Sequence, residues 1–251
     1  MSAVLPGRGQ NKMALSKHIN FFELEKASEQ PGCPLCVIIE KRAEQYLDNM
    51  LFEHISDRPF RAKYKASGGF CAFHSRGLES FRDGLAVAIL GRDILEERIK
   101  SYESMERWAP KGRCPVCEER DKIEEEYLSF LAEADGESKE EEELKRIFCA
   151  GDGLCAPHYS SLLFAHNHHH HRNHDHHHDD HDNHRYFYHR KKRRIPAWLK
   201  EFHEAKFNDL KKRVDNFIEL SAYGRQKEFA LLSVKDQLVW KELAVALREI
   251  D

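Results

Sequence analysis

Two short cysteine motifs each occur twice in this sequence, in the same order and at nearly the same spacing. The first pair is Cys33-Pro-Leu-Cys36 and Cys114-Pro-Val-Cys117, and the second is Gly69-Phe-Cys71-Ala-Phe-His74 and Gly153-Leu-Cys155-Ala-Pro-His158. The offsets between the copies, 81 and 84 residues, differ by only three. A single CxxC can arise by chance, but four motifs in register indicate an internal repeat.

The donor atoms of these motifs predict metal sites. A CxxC turn presents two thiolates and a CxxH turn presents one thiolate and one imidazole, so two turns complete the tetrahedral shell of a structural zinc ion. We therefore predict two Cys3His zinc sites, one for each copy of the pattern. The eight predicted ligands are Cys33, Cys36, Cys71, His74, Cys114, Cys117, Cys155 and His158. The sequence leaves open whether each site closes within one repeat or takes motifs from both.

Three alternatives to zinc remain open at this stage. Unliganded cysteines pack well in protein cores, a Cys3His set can hold an iron–sulfur cluster, and CxxC thiols can exchange with disulfides. The duplication in register disfavours the first alternative, and the redox alternative leaves the CxxH motifs unexplained. Cys149 lies outside the pattern and is predicted to be a packed thiol, with an auxiliary metal ligand as the less favoured alternative.

The spacing of apolar residues predicts an all-α fold. Apolar side chains recur at helical spacing, and no alternating run predicts a strand. Ser138 and Glu141 form a capping-box pattern, and Gly69 and Gly153 suit an unusual backbone conformation. Helices are predicted after Cys36 and Cys117, over 71–81, 84–107 and 155–165, from Ser138 to about Ile147, after Pro196, and over 233–248. The ions are then expected to pin helix ends together, with ligands near helix N-termini, where the dipole favours thiolates.

The same features divide the chain into four predicted regions. Residues 18–110 hold the first CxxC/CxxH repeat and residues 111–165 the second. Residues 166–194 form a His-rich and basic loop, and residues 195–251 form helices that pack on the repeats. The fold expected from this division is a pseudo-duplicated helical protein.

The segment 166–189 contains most of the histidines of the chain and few apolar side chains. Such a composition cannot bury a core, so a disordered loop is predicted. Imidazole binds Zn²⁺, Ni²⁺, Co²⁺ and Cu²⁺, which predicts weak additional metal binding. The candidate ligands are His168, His169, His170, His171, His174, His176, His177, His178, His181 and His184. A low-complexity expansion in a tolerant surface loop explains the segment equally well.

Charge and hydropathy exclude several classes of partner. The formal net charge is -3, and no run of 18 apolar residues exists that could span a bilayer. The N-terminus lacks the apolar core of a signal peptide, so a cytoplasmic location is predicted. The basic run at 190–194 is interpreted as a solvated helix flank. Metal ions and an unidentified protein are the predicted partners, and neither a membrane nor nucleic acid is predicted.

No catalytic motif accompanies the metal motifs. The sequence contains no phosphate-binding loop, dinucleotide fingerprint or nucleophile motif, and His18, His54 and His203 are isolated. A closed four-ligand shell has no open position for water or substrate. The sequence therefore predicts a binding protein and does not reveal a reaction.

The motifs resemble those of an uncharacterised prokaryotic family of helical proteins, in which two CP-x-C motifs are each followed by G-F-C-x-x-H. Gly69–His74 matches that pattern, whereas Gly153–His158 has Leu for Phe. Ser233-Val-Lys-Asp236 is similar to an S-K-D motif of the family, with one residue inserted. The resemblance covers most of the chain and implies the same sites, but it implies no activity.

Three functions are compatible with these observations. The first is a zinc-binding helical scaffold or adaptor that binds another macromolecule. The alternative is a protein for metal buffering, storage or delivery that uses the His-rich loop. The second alternative is an iron–sulfur or thiol redox protein.

Overall fold

The computed structural model describes residues 19–81, 83–134, 138–165 and 191–247, and these residues are predominantly helical. The helices are α1 (Ile19–Ser28), α2 (Pro34–Glu53), α3 (Arg58–Ser67), α4 (Ala72–Gly77), α5 (Gly84–Glu103), α6 (Pro115–Glu133), α7 (Lys139–Ala150), α8 (Ala156–Leu163), α9 (Ala197–Leu220), α10 (Gln226–Phe229), α11 (Val234–Gln237) and α12 (Val239–Leu247). A 3-10 turn at Leu78–Ser80 follows α4. The predicted all-α class is confirmed. None of the described helices is both long and apolar enough to cross a membrane.

Local sequence signals explain where several helices begin. Pro34 and Pro115 are the first residues of α2 and α6, a position where proline costs no hydrogen bond. The predicted capping box is present before α7: the Glu141 N–H donates to Ser138 Oγ, and the Ser138 N–H donates to Glu141 Oε2, both at 3.2 Å. These two contacts satisfy backbone donors that the first turn of a helix otherwise leaves unpaired.

Several helical segments differ from the prediction: the sequence pattern predicts neither α1 nor α10, and the helix predicted over 84–107 ends at Glu103. The sequence pattern does not predict α3, because this helix is short, is rich in Arg and Lys, and buries only Tyr64 and Ser67. This helix begins after Asp57 and ends at Gly68, whose φ of 77° is left-handed. The helix predicted over 233–248 is interrupted at Leu238, which separates α11 from α12.

The structure also contains one short pair of strands, which the sequence does not predict. The strands β1 (Phe164–Ala165) and β2 (Lys191–Lys192) pair in antiparallel register, Phe164 opposite Lys192. A two-residue ladder is too short to produce an alternating sequence pattern. The pairing places Ala165 opposite Lys191, and the Arg193 N–H donates to the Leu163 carbonyl at 2.9 Å beside it.

The chain divides into two compact units. Unit 1 contains the described residues up to Pro34 and from Leu128 onward, and unit 2 is Leu35–Tyr127. Because α2 and α6 cross these boundaries, the units are not the same as the two sequence repeats.

The core of unit 2 surrounds the middle of α2. Ala43, Leu47 and Met50 pack with Cys114 and Val116, and a neighbouring cluster contains Leu51, Tyr64, Ala86 and Leu90. Helices α3 and α5 are joined by a double hydrogen bond from Arg61 to the buried Asp93 carboxylate, at 2.7 and 2.5 Å. These hydrogen bonds and the adjacent positive charge lower the pKa of Asp93 below its usual range. The carboxylate therefore stays charged and paired.

The core of unit 1 is organised by α9. Phe148 of α7 lies edge-on to Trp198 and Phe202, and the buried Trp198 Nε1 donates to the Ala134 carbonyl at 3.1 Å. Helix α1 packs on α7, and α12 packs on α9. Arg213 of α9 ties down the last helices through Asp236 at 2.7 Å and Glu242 at 2.8 Å.

Candidate metal centres

All eight predicted ligands lie at the N-termini of four helices. Cys33 and Cys114 immediately precede α2 and α6, whose first turns contain Cys36 and Cys117. Cys71 and Cys155 are the N-cap residues of α4 and α8, whose first turns contain His74 and His158. Each motif therefore places two donor side chains on one helix start, as the sequence predicted.

The ligand side chains converge in two groups of four. Site A consists of Cys33, Cys36, Cys155 and His158, and site B of Cys71, His74, Cys114 and Cys117. Within each group the four ligand atoms lie within 4.8 Å of one another. Each group combines the CxxC of one repeat with the CxxH of the other, which answers the question that the sequence left open.

The imidazole of site A faces the sulfurs through its Nδ1 atom. His158 Nδ1 lies 3.3 Å from Cys33 Sγ and 3.2 Å from Cys155 Sγ. Cys33, Cys155 and His158 are buried, and Cys36 is half-buried. Burial of three of the four ligands shields the centre from water.

Site B has the same arrangement. His74 Nδ1 lies 3.3, 3.5 and 3.4 Å from the sulfurs of Cys71, Cys114 and Cys117. The sulfurs of Cys71 and Cys117 are 3.7 Å apart. Here His74 and Cys114 are buried, whereas Cys71 and Cys117 are half-buried.

These separations fit one tetrahedral ion in each group. Zinc bonds of about 2.3 Å to sulfur and about 2.0 Å to nitrogen put two sulfurs about 3.8 Å apart, and sulfur and nitrogen about 3.5 Å apart. The distances in both sites lie close to these values. They are far longer than the bond of about 2.05 Å in a disulfide, and none of the seven cysteines forms a disulfide.

The electrostatics of site B also suit a cation. Burial alone would raise the pKa of Cys71, but hydrogen bonds from the backbone of His74 and Phe73 and from the Cys117 thiol bring it below its usual value. Burial and the neighbouring Cys114 and Cys71 sulfurs raise the pKa of Cys117 to about 12. A negative charge on one sulfur raises the pKa of the sulfurs beside it, and a bound divalent cation offsets this repulsion.

The histidine of site B is held in the form that binds metal. Burial, followed by the charge of Arg120, lowers the pKa of His74 below its usual value. The imidazole is therefore neutral at neutral pH, as a metal ligand must be. In both sites the helix dipoles, positive at the N-terminus, point toward the thiolates and favour their charged form.

The backbone before each CxxH cysteine is held by a polar aromatic side chain. In site A the Leu154 N–H donates to Nε2 of His203 at 2.8 Å, and Nδ1 of His203 lies 2.8 Å from the Leu199 carbonyl. Burial lowers the pKa of His203 to about 4, so the ring is neutral and can accept the first hydrogen bond. In site B the Phe70 backbone makes the corresponding hydrogen bond with the Tyr64 hydroxyl.

These two supporting residues could not be recognised in the sequence. His203 belongs to α9, far along the chain from Leu154, and as an isolated histidine it has no motif around it. Tyr64 resembles any other core tyrosine of α3. The unusual backbone predicted at Gly69 and Gly153 is confirmed by φ values of 87° and 68°. The residue after each glycine, Phe70 or Leu154, makes the backbone hydrogen bond to Tyr64 or His203.

Further contacts fix the approach to each site. In unit 1 the Gly32 N–H donates to Asp152 Oδ2 at 2.8 Å, which joins the residues that precede the two motifs of site A. In unit 2 the Lys111 N–H donates to the Ala66 carbonyl at 2.7 Å, which joins the segments before the two motifs of site B. Each pair of motifs is thus positioned by protein contacts outside the ligands.

Cys149 does not belong to either group. Cys149 is half-buried on α7, and burial raises the pKa of its thiol, which agrees with a packed thiol. The ten loop histidines, from His168 to His184, lie outside the described residues.

Comparison with known proteins finds a distant relative and no family assignment. The chain is 29% identical over 140 residues to a protein of Caldicellulosiruptor sp. (strain Rt8B.4) that is named an uncharacterized 23.9 kDa protein in the xynA 3' region. The match covers 54% of this chain and 67% of that protein. No protein-family model matches the chain, and no solved structure matches it significantly. The name of the relative states no activity.

Proposed function

We propose that this chain is a zinc protein in which two structural Zn²⁺ ions hold a helical scaffold together, and that the scaffold acts as an adaptor for another protein. The observation that carries the metal assignment is the convergence of eight motif residues into two Cys3His groups with tetrahedral spacing. Zinc is the metal that most often takes such a closed sulfur and nitrogen shell. In that position the ion holds the starts of two helices together at each site.

The close spacing of the donors supports a single zinc ion in each group over the iron–sulfur alternative. A cluster attaches its ligands to several irons, whereas the four donors of each group lie close enough to share one ion. Imidazole Nδ1 faces the sulfurs in both sites, so both motifs contribute to the shell. A dithiol redox function would need only the CxxC pairs.

The adaptor part is supported by exposed apolar side chains in the C-terminal part of the described chain. Tyr223, Leu231, Val234 and Trp240 are large apolar side chains that are between 52% and 100% exposed. All four lie within residues 223–240, and exposed apolar side chains that gather on one surface are typical of protein interaction sites. The closed metal shells leave no position for a substrate, which favours binding over catalysis.

The decisive measurement is the number of metal ions per chain in a protein without the His-rich segment. Because β1 and β2 are already paired, residues 166–190 can be replaced by an Asn-Gly turn between Ala165 and Lys191. We expect elemental analysis to find about two zinc ions in this variant, one after Cys36→Ser or Cys117→Ser, and none in the double variant. Cys149→Ser is the matched control and keeps both ions.

Two outcomes would contradict the metal assignment. A folded loop-deleted protein without tightly bound metal would remove the basis for structural zinc. Iron with visible absorbance would replace zinc by an iron centre. Loss of cellular metal tolerance on deletion of residues 166–190, with both zinc ions retained, would favour the metal-buffering alternative over the adaptor.

A further inference from the structure

A concave pocket lies next to site A in unit 1. It has a volume of about 320 Å³, which is within the range of small-molecule sites. Its walls come from the two segments that carry the ligands, Pro31–Cys33 and Asp152–Cys155, and from α9 and α12. Two of its lining residues, Cys33 and Cys155, are therefore also ligands of site A.

The body of the pocket is apolar. Phe207 and Leu210 of α9 line it together with Val245 and Ala246 of α12. Leu154 belongs to the lining as well. Such a surface gains free energy by covering an aliphatic or aromatic group, at about 25 cal/mol per Å² of apolar area buried.

The charged side chains of the pocket are not equally available to a ligand. Glu242 accepts from the guanidinium of Arg213 at 3.0 Å. Asp152 accepts from the Gly32 N–H at 2.8 Å and lies 3.7 Å from the Lys206 ammonium. Lys206 itself donates to the Gly151 carbonyl at 2.6 Å. These three groups already have protein partners.

Lys241 is different. Its ammonium lies 5.4 Å from the centre of the exposed Trp240 ring, and among the described residues it forms no ion pair. A cation beside an apolar cavity, without a carboxylate partner in the described part of the chain, attracts an anionic group whose remainder is apolar.

From this arrangement we infer that the pocket binds a small amphipathic carboxylate, with its apolar body against Phe207, Leu210 and Val245 and its carboxylate at Lys241. This inference goes beyond the proposed structural zinc. It rests on that function only because Cys33 and Cys155 form part of the pocket wall.

Calorimetric titration of the 251-residue chain with octanoate tests this site. We expect 1:1 binding of octanoate, and weaker binding of octylammonium, which has the same apolar body and the opposite charge. Ala246→Trp fills the pocket and should weaken octanoate binding at least about tenfold. Ala244→Trp on the same helix is exposed and outside the lining, so it should leave binding unchanged.

The head-group contact has its own variant. Lys241→Gln should weaken octanoate binding by about three- to tenfold and leave the binding of neutral 1-octanol unchanged. Lys212→Gln, at an exposed position of α9 outside the pocket, is the control and should change neither. Circular dichroism confirms that each variant is folded.

Metal content is measured on the loop-deleted form of each variant, so the two proposals can fail separately. Two zinc ions without octanoate binding would overturn the pocket and leave the structural zinc. Octanoate binding that Ala246→Trp does not weaken, or octylammonium binding as tight as that of octanoate, would also overturn the pocket. Binding that is retained in a sample without zinc would instead overturn the structural role of the metal.

Discussion

Sites A and B have the same ligands in the same helical positions, but their CxxH motifs are supported differently. The backbone of site B is held by Tyr64, which lies shortly before the motif in the same unit. The backbone of site A is held by His203 on α9. This helix follows both sequence repeats and belongs to neither of them. The ligand geometry is therefore the same in both copies, whereas the side chain that supports it comes from a different part of the chain.

The surroundings differ as well. The ligands Cys114, Cys71 and Cys117 of site B pack against the apolar core of unit 2. Cys33 and Cys155 of site A border an open pocket. Site B therefore resembles a purely structural centre, whereas site A combines the same shell with a surface that a ligand can reach.

The largest difference between the sites should follow from removing one equivalent ligand in each. Cys71→Ser should release the ion of site B and raise hydrogen exchange mainly within residues 35–127, whereas Cys155→Ser should do so mainly within residues 138–165 and 197–220. A structural zinc contributes on the order of 10 kcal/mol of apparent binding free energy, so local unfolding is expected. Hydrogen-exchange mass spectrometry measures both effects. Identical exchange patterns in the two variants would show that the sites do not support separate regions.

Much of this arrangement follows from the sequence, and the rest does not for identifiable reasons. The motif residues Cys33 and Cys155 could be named as ligands because a metal shell demands particular donor atoms at short spacing. That Cys33 and Cys155 belong to the same site could not be predicted, because this depends on tertiary packing that no local spacing encodes. Helix α3 has too few apolar side chains to be recognised, and the two-residue strands β1 and β2 are too short to show an alternating pattern.

Glycine substitution next to the motifs should have the next largest effect. Both Gly69 and Gly153 have positive φ, which costs an alanine about 1 kcal/mol or more. A Cβ atom at Gly153 would lie 2.7 Å from the Phe202 ring, whereas at Gly69 its closest contact is the Tyr64 hydroxyl at 3.1 Å. We expect thermal or denaturant unfolding to show a loss of about 3 kcal/mol for Gly153→Ala and about 2 kcal/mol for Gly69→Ala.

Gly91→Ala provides the control for these variants. Gly91 is inside α5 and lacks a positive φ, and a Cβ atom there would meet no atom within 4 Å beyond its own helix backbone and chain neighbours. Alanine should therefore stabilise the helix by about 0.5 to 1 kcal/mol. If Gly69→Ala proved more harmful than Gly153→Ala, the ring of Phe202 would not constrain site A as described.

The smallest expected effect comes from the supporting side chains themselves. Tyr64→Phe deprives the Phe70 N–H of its partner and should cost about 1 kcal/mol, while His203→Phe leaves the buried Leu154 N–H unpaired and should cost about 2 kcal/mol. Each change should also speed zinc transfer to a chelator from its own site by about tenfold. Tyr102→Phe, at an exposed tyrosine, is the control. Faster release from the wrong site would contradict the assignment of one support to each centre.

The exchange of motifs between the repeats has a consequence for synthesis of the chain on the ribosome. The ligands of site B are complete once Cys117 has been made, but Cys33 and Cys36 wait for Cys155 and His158. The CxxC motif that is translated first therefore belongs to the metal centre that is completed last. A nascent chain that ends between the two repeats contains four donor residues and neither completed quartet.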